Sequence, residues 1–372
     1  MKRIGHFIPQ YGTNTGTGKV IEQTVKFLDG LGTFEVFIFK CGNENKYYKL
    51  NNITFIEYKT RSKLFPIPFR ILKDLFFNKY KLNSIGIHQP FTMNNLLVSL
   101  LARIPLDYYP HGCFAPKTLN APGKKFKKKV YIKFIEKHLI TKSRKVVCAT
   151  ESEETHLKEI SKEFNTTSVH YPFDVDFFFN SGITYSEFRK ENNFKEDDII
   201  FLFVGRWDIY TKGLDILISA TKEANRQNAK IKTALVGYSK DEKKLRGLIE
   251  RSGTKNCVFT LGPMFGESKL AALNSVDYYV QPSRYESFGV SVIEALSVGV
   301  PAILSKGCNI SREILASKGC YTFNSDPMEL ADQMLEVTLD KNAKNIGANG
   351  RKWVQANLNK TNLESKWTNI YK

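Results

Sequence analysis

The chain has 372 residues, enough for two domains of ordinary size, and its 42 % hydrophobic share is too high for a disordered polar chain. Six cysteines (Cys41, Cys113, Cys148, Cys257, Cys308, Cys320) stand without Cys-x-x-Cys spacing, which reads as reduced cytosolic thiols rather than a disulfide framework or zinc site. Apolar runs fall far short of the roughly 18 to 20 residues of a membrane span, and the amino terminus runs straight into a strand, so the expectation is a protein neither secreted nor integral.

Lys2 to Pro9 reads as the first strand. It is followed by Gly12-Thr13-Asn14-Thr15-Gly16-Thr17-Gly18-Lys19 and by helical spacing through Val20, Val25, Leu28 and Leu31. A Gly-rich turn between strand and helix invites a phosphate. A P-loop would need Gly in place of Thr13 and Ser or Thr in place of Val20; a dinucleotide fingerprint from Gly16 would need Gly or Ala in place of Ile21. Both fail on spacing.

The net charge of +18 is uneven: residues 1–172 hold 28 Lys/Arg against 13 Asp/Glu, an excess of 15, which leaves 3 for the rest. Basic residues alternate with Phe65, Phe69, Phe76 and Phe77 between Lys63 and Lys81. Lys124, Lys125, Lys127, Lys128 and Lys129 open a second such stretch that runs to Lys137. Cations interleaved with large apolar side chains suit an anionic bilayer. Nucleic acid is a rival partner, through backbone neutralisation and base stacking, although no nucleic-acid module is recognisable. A solvated Lys-rich face is the third reading.

Ser84 to Ile87 reads as a strand ending in His88, and Leu106-Asp107-Tyr108-Tyr109-Pro110-His111-Gly112 as a short strand ending in His111. Further on, Ile199-Ile200-Phe201-Leu202-Phe203-Val204 is an unbroken apolar run, as in a parallel strand buried on both faces. It ends at Gly205-Arg206-Trp207-Asp208-Ile209-Tyr210-Thr211-Lys212-Gly213 and so delivers Arg206 and Lys212 to its carboxyl end, where open parallel sheets bind ligands. A planar guanidinium fork and a mobile ammonium fit a diphosphate.

Val276 to Gln281, stopped by Pro282, reads as another buried strand. From Phe288 to Leu296 the apolar positions recur at helical spacing, so a helix begins near Gly289 with its first amides open to an anion. Glu286 lies before that helix and Glu294 over a turn inside it, too far apart to share one hydroxyl and suited to two parts of one ligand. Carboxylates of this kind bind sugar hydroxyls.

With the following Ala295-Leu296-Ser297-Val298-Gly299-Val300-Pro301-Ala302, the Ser283 to Glu294 segment resembles the nucleotide-sugar signature of family 4 of the retaining glycosyltransferases. Those enzymes have two Rossmann-like domains with parallel sheets facing a cleft, the GT-B architecture. The resemblance implies that Arg206 and Lys212 neutralise the leaving diphosphate, Glu286 holds the donor sugar and Glu294 the ribose. Gly205, Phe288, Gly289 and Val290 would approach the donor by backbone. Many members place the Lys five residues after the Arg; here the gap is six. Gly16 and Gly18 stand for the family's Gly pair near the donor phosphate. Pro110 to Glu154 resembles the "His-Gly, basic helix, strand, Thr-x-x-Glu" layout of bacterial polysaccharide enzymes of that family, which makes His111 a donor-sugar contact. Asp174-Val175-Asp176 has the Asp-x-Asp form that holds a metal in a different glycosyltransferase architecture, but the resemblance puts it in the connection between domains.

The expectation is therefore an α/β GT-B enzyme with an acceptor domain over 1–172, a linker over 173–182, a donor domain over 183–355 and a last helix, 356–372, that crosses back to the first. It would transfer a hexosyl unit from a nucleoside-diphosphate sugar, with retention and an α-linkage, to a lipid-linked or soluble saccharide acceptor, as in lipopolysaccharide, O-antigen or capsule assembly, and would be cytoplasmic and peripheral at the inner face of the cell membrane. No metal, no cofactor and no nucleic acid are expected. A sugar-phosphate or nucleotide-sugar epimerase of the same architecture, a non-catalytic nucleotide-sugar binder and a basic nucleic-acid protein are the alternatives.

Overall fold

The computed structural model describes residues 1–8, 16–60, 67–119, 125–179, 187–239 and 241–372, apart from the side chains of residues 16, 117 and 125–127. It divides into two compact units, Met1–Phe173 with Lys360–Lys372, and Asp174–Asn359.

The first unit is built on eight strands: β1 (Lys2–Phe7), β2 (Phe34–Gly42), β3 (Lys46–Leu50), β4 (Ile53–Lys59), β5 (Ser84–Ile87), β6 (Leu106–Tyr108), β7 (Lys145–Cys148) and β8 (Thr166–Ser168). Their order across the sheet is β3-β4-β2-β1-β5-β6-β7-β8. All pairings are parallel except β3 with β4. The inner strands carry a buried apolar core: Val36, Ile38 and Phe39 of β2 and Ile85 and Ile87 of β5 are fully buried. Strand β3 is exposed along its length, as an edge strand rich in Lys and Tyr tolerates. The carboxyl-terminal helix Lys360–Ile370 belongs to this unit: buried Trp367 donates its indole N–H to the His170 carbonyl at 3.1 Å, and the hydroxyls of Tyr371 and Tyr109 are 2.7 Å apart.

The second unit holds six parallel strands, β9 (Ile199–Val204), β10 (Ile231–Val236), β11 (Val258–Gly262), β12 (Tyr278–Gln281), β13 (Ala302–Ser305) and β14 (Tyr321–Phe323), in the order β11-β10-β9-β12-β13-β14. A helix connects each strand to the next. The chain runs outward from β9 to β11 and then returns to lay β12 on the other side of β9. This reversal makes the carboxyl ends of β9 and β12 the topological switch point, the place where open α/β sheets take their ligands. Phe201, Phe203, Leu217, Ile303 and Phe323 fill the core beneath it, and each large side chain fully buried there contributes about 1.5–3 kcal/mol.

This unit begins at Asp174. The short helix Asp176–Phe179 lies in the stretch expected as linker but packs against the helix Val290–Ser297 of the second unit. Phe178 is buried there.

Candidate functional site

Two loops leave the switch point and are stapled together. Gly213 stands at φ +66°, and a Cβ on it would lie 2.1 Å from the Pro282 carbonyl oxygen, so the loop after β9 can lie against the loop after β12 only with glycine there. The Arg284 amide donates to the Thr211 carbonyl at 3.0 Å. The Arg284 guanidinium grips Asp215 with two parallel bonds of 2.7 and 2.6 Å, and its carbon lies 4.6 Å from the centre of the Tyr210 ring. Hydrogen bonding to Asp215 holds the Arg284 pKa above its ordinary value.

Above this staple, Lys212 donates to the Glu286 carboxylate. Both side chains are largely buried, whereas Arg206 is exposed and meets no acceptor among the described residues. The two cations expected to act alike therefore stand differently: one is already neutralised and one is open. Glu286 is held by its main chain as well, its amide donating to Gly307 at 3.0 Å and its carbonyl accepting from Asn309 at 3.0 Å. Gly289 takes φ +75° and caps the helix Val290–Ser297, as the sequence spacing predicts. Phe288 is buried, and the helix presents its first amides beside Glu286, with the Gly289 Cβ position only 3.3 Å from the Glu286 Cγ. Gly205 continues the β9 ladder by donating to Val236 at 3.0 Å.

Glu294 lies one turn inside that helix and is buried. Its partner is Lys269, one turn inside the helix Gly266–Asn274, and the ammonium sits 5.9 Å from the centre of the Phe178 ring. Sequence reading missed Lys269 because a Lys within a helix carries no signature of burial. It missed the Arg284–Asp215 staple because the two residues stand 69 positions apart and meet only through the fold. Asp174 and Asp176 are exposed; Asp174 accepts from the Phe177 amide at 3.4 Å, in the manner of a cap for the short helix.

In the first unit, the carboxyl ends of β1, β5 and β6 bring three imidazoles into line. His6 Nδ1 is 3.0 Å from His88 Nε2, His88 Nδ1 is 2.8 Å from His111 Nε2, and His111 Nδ1 is 2.9 Å from the Tyr171 hydroxyl. A neutral imidazole carries one N–H, so all three rings adopt tautomers of one polarity along the chain. Burial pushes the His6 pKa down to about 4, that of His88 well below its ordinary value and that of His111 to about 3. His111 was expected to meet a sugar. Both its ring nitrogens are engaged within the unit, so a contact through either one must displace His88 or Tyr171. Its backbone is strained, with φ +46° followed by Gly112 at φ +74°. Buried Glu153 secures that turn by accepting from the Gly112 amide and, at 2.7 Å, from the Ala149 amide. Burial pushes the Glu153 pKa up to about 7, against the lowering effect of the two backbone donors. The Thr-x-x-Glu layout thus has a physical basis: Thr150 caps the helix Glu151–Ile160 and Glu153 fastens the His-Gly turn.

Gly16 and Gly18 stand in the first turn of the helix Gly16–Gly30 rather than in the loop ahead of it, and residues 9–15 lie outside the described residues. Lys124 also lies outside them, as do the side chains of Lys125 and Lys127. Lys128 departs from the expected open basic face: its ammonium turns inward to donate to the Thr118 carbonyl at 2.9 Å, above the Phe91 ring. Lys129 remains exposed. Beyond it, Lys133, Phe134 and Lys137 are exposed on a helix that continues through a π-helical turn, Ile132–Glu136. The turn allows Glu136 to point inward, where it accepts from the Tyr108 hydroxyl at 2.6 Å and from the Phe91 amide.

Residues 184–353 match the family model described as glycosyl transferases group 1. Among curated proteins, an uncharacterized glycosyltransferase of Methanocaldococcus jannaschii is 30 % identical over 206 residues, which cover 54 % of this chain and 51 % of that relative, so the match spans about half the relative's length. Among solved structures, the sucrose-phosphate synthase of Thermosynechococcus elongatus superposes with a TM-score of 0.81 at 19 % identity, over 100 % of this chain and 98 % of that one. The Anabaena HepE protein in complex with UDP-glucose superposes with a TM-score of 0.79 at 15 % identity, over 100 % and 99 %. The fold is GT-B. In GT-B terms the family match falls on the second unit, around the switch point that carries Arg206, Lys212, Glu286 and Glu294. Among the described residues of this GT-B chain, no helix is long and apolar enough to cross a membrane.

Proposed function

We propose that this protein is a glycosyltransferase that moves a hexosyl unit from a nucleoside-diphosphate sugar to a saccharide acceptor, with retention and an α-linked product. The observation that carries the reading is the convergence of Arg206, the Lys212–Glu286 pair, Glu294 and the start of the helix Val290–Ser297 at one switch point. Arg206, Lys212 and the helix amides at Gly289 and Val290 meet the charge that develops on the leaving diphosphate; one preorganised donor of this kind commonly contributes about 10²–10³ in rate. Glu286 takes the donor-sugar hydroxyls, and Lys212, bound to it, spans sugar and phosphate. The departing phosphate oxygen takes the acceptor proton, so no side chain serves as nucleophile or base, and no metal is required. Gly16 and Gly18 stay assigned to the donor phosphate, and His111 to the sugar by exchange of its Tyr171 bond.

The first unit is assigned to the acceptor, a lipid-linked saccharide of bacterial surface-polysaccharide assembly, reached from the inner face of the cell membrane. The support is its excess of positive charge and its exposed apolar side chains on helices, Phe69 and Phe77 at one site and Val130 and Phe134 at another. The test is incubation with UDP- and GDP-hexoses and lipid-linked saccharides, with NMR of the product's anomeric centre. Transfer with an α-linkage is expected. A β-linked product overturns retention, and absence of both transfer and donor hydrolysis overturns the activity.

A further inference from the structure

Strand β3 is an outer strand of the first sheet, and its residues are exposed from Lys46 to Leu50. Tyr47 is 65 %, Tyr48 38 % and Leu50 58 % exposed, so large side chains stand in water along an open strand edge. Native sheets commonly blunt such an edge with lysines that repel a second strand. Here that device is cancelled: the Lys49 ammonium lies 3.7 Å from Glu35 and the Lys46 ammonium 3.9 Å from Glu44.

The register decides which backbone groups the edge offers. Leu50 pairs with Ile53 across the turn Asn51-Asn52, Tyr48 with Phe55, and Lys46 with Glu57. The pair that closes a two-residue hairpin is hydrogen-bonded and antiparallel ladders alternate, so Leu50, Tyr48 and Lys46 bond to β4. Strand β2 gives the same phase from the far side of β4: the Val36 amide donates to the Asn52 carbonyl at 3.0 Å, which leaves Ile53 and Phe55 to face β3. The amides and carbonyls of Tyr47 and Lys49 therefore point away from the sheet, and none meets a partner among the described residues.

This edge is complementary to itself. An antiparallel copy of β3 centred on Tyr48 sets Tyr47 against Lys49 of the copy and Lys49 against its Tyr47, and every outward amide and carbonyl of those residues finds a partner. Each Tyr47 ring then lies beside an ammonium, and the two Tyr48 rings meet as a close cross-strand aromatic pair. Tyr48 already stacks on Phe55 with ring centres 4.7 Å apart, so the contact extends one aromatic row over both strand pairs. Centring the pairing on Lys49 instead would oppose two ammonium groups, which is unfavourable.

We propose that β3 is an interface at which a second copy of this chain adds its own β3, antiparallel about Tyr48, so that the two first-unit sheets become continuous. The interface is independent of the reaction and of the donor.

The experiment is sedimentation velocity of the full chain over a dilution series. The wild type is expected to show a monomer–dimer equilibrium. Tyr47→Lys opposes two cations at both symmetry-related places and should raise the dimer dissociation constant at least about tenfold, whereas Tyr47→Glu should keep the dimer. Lys49→Pro removes an outward amide, a change that an edge strand tolerates, and should also dissociate it. Tyr48→Cys should form an intermolecular disulfide in mild oxidant, because Cα atoms of a pair without hydrogen bonds stand about 4.5 Å apart; the wild type in the same oxidant should not. A wild type that remains monomeric throughout the series overturns the proposal. A dimer that persists unchanged in Tyr47→Lys, or that Tyr48→Cys does not cross-link, overturns it as well. Should Lys49→Pro fail to fold, Tyr47→Lys decides, since the Tyr47 side chain stands in water.

Discussion

The ammonium of Lys212 is hydrogen-bonded to the carboxylate of Glu286, across the boundary between the loops that leave β9 and β12. The pair makes the site electrically modest before a ligand arrives: Lys212 and Glu286 cancel, and exposed Arg206 supplies the open positive charge. A diphosphate bound there shares Lys212 with Glu286 while the sugar takes the rest of the carboxylate, so one side-chain pair couples recognition of both parts of the donor.

Arg206→Ala and Lys212→Ala should each lower transfer by at least about tenfold. They should differ in stability. Arg206 has no side-chain partner among the described residues, so its variant keeps the wild-type melting temperature, while Lys212→Ala strands Glu286 and melts lower. Turnover and thermal melting on both variants check this, and near-normal turnover in both removes the assignment.

Gly213→Ala should destabilise the second unit by about 2 kcal/mol or more, because the new Cβ meets the Pro282 carbonyl oxygen in a left-handed conformation. Urea unfolding measures it. A change below about 0.5 kcal/mol would mean that the two loops separate without cost.

Acid should destabilise the first unit. His6, His88 and His111 have folded pKa values below the ordinary 6.5, so each contributes stability that is complete above 6.5 and is lost as pH falls toward about 4 for His6 and about 3 for His111. Glu153 acts oppositely: its pKa is raised from 4.5 to about 7, so its contribution is complete below 4.5 and is lost as pH rises through 7. Near pH 5 the unfolded histidines bind about three protons that the folded ones refuse, and folded Glu153 binds about one that the unfolded carboxylate has mostly released. The balance is about two protons, or roughly 3 kcal/mol per pH unit at most. Unfolding midpoints between pH 7 and 5 should fall, and His6→Gln should flatten the slope; stability rising over that range contradicts the sign.

Vesicles containing anionic lipid should bind the protein, less so as salt shortens the Debye length from about 10 Å at 0.1 M toward about 3 Å at 1 M. Since Lys128 turns inward, the side chains to change are Lys129, Lys133 and Lys137 to Gln, with Phe134 to Ser; each Lys contributes about 1 kcal/mol near the surface. Co-sedimentation should drop sharply for that variant and little for Lys128→Gln. Equal binding to neutral vesicles makes the basic face a solvated one.

Transfer should survive a chelator, and Asp174→Asn should be mild, since Asp174 serves as a helix cap. Loss of activity in chelator that manganese or magnesium restores would reverse this.

The sequence by itself determined the layers of both units and the ends of the decisive elements. A short unbroken apolar run such as Ile199 to Val204, rich in β-branched and aromatic residues and closed by glycine, suits burial on both faces of a parallel sheet, and glycine at 289 marks where a helix starts after a left-handed residue. These are local effects, written in neighbouring residues. Only the tertiary structure decided which strands are neighbours, and with them the pairs that make the site. Lys212 meets Glu286 because β12 returns to lie beside β9; Lys269 is buried on Glu294 because two helices converge at one edge; His6, His88 and His111 align because β1, β5 and β6 are adjacent. Each of these side chains taken alone is an ordinary polar residue in the sequence, and its partner, burial and charge state come from contacts with residues far away along the chain.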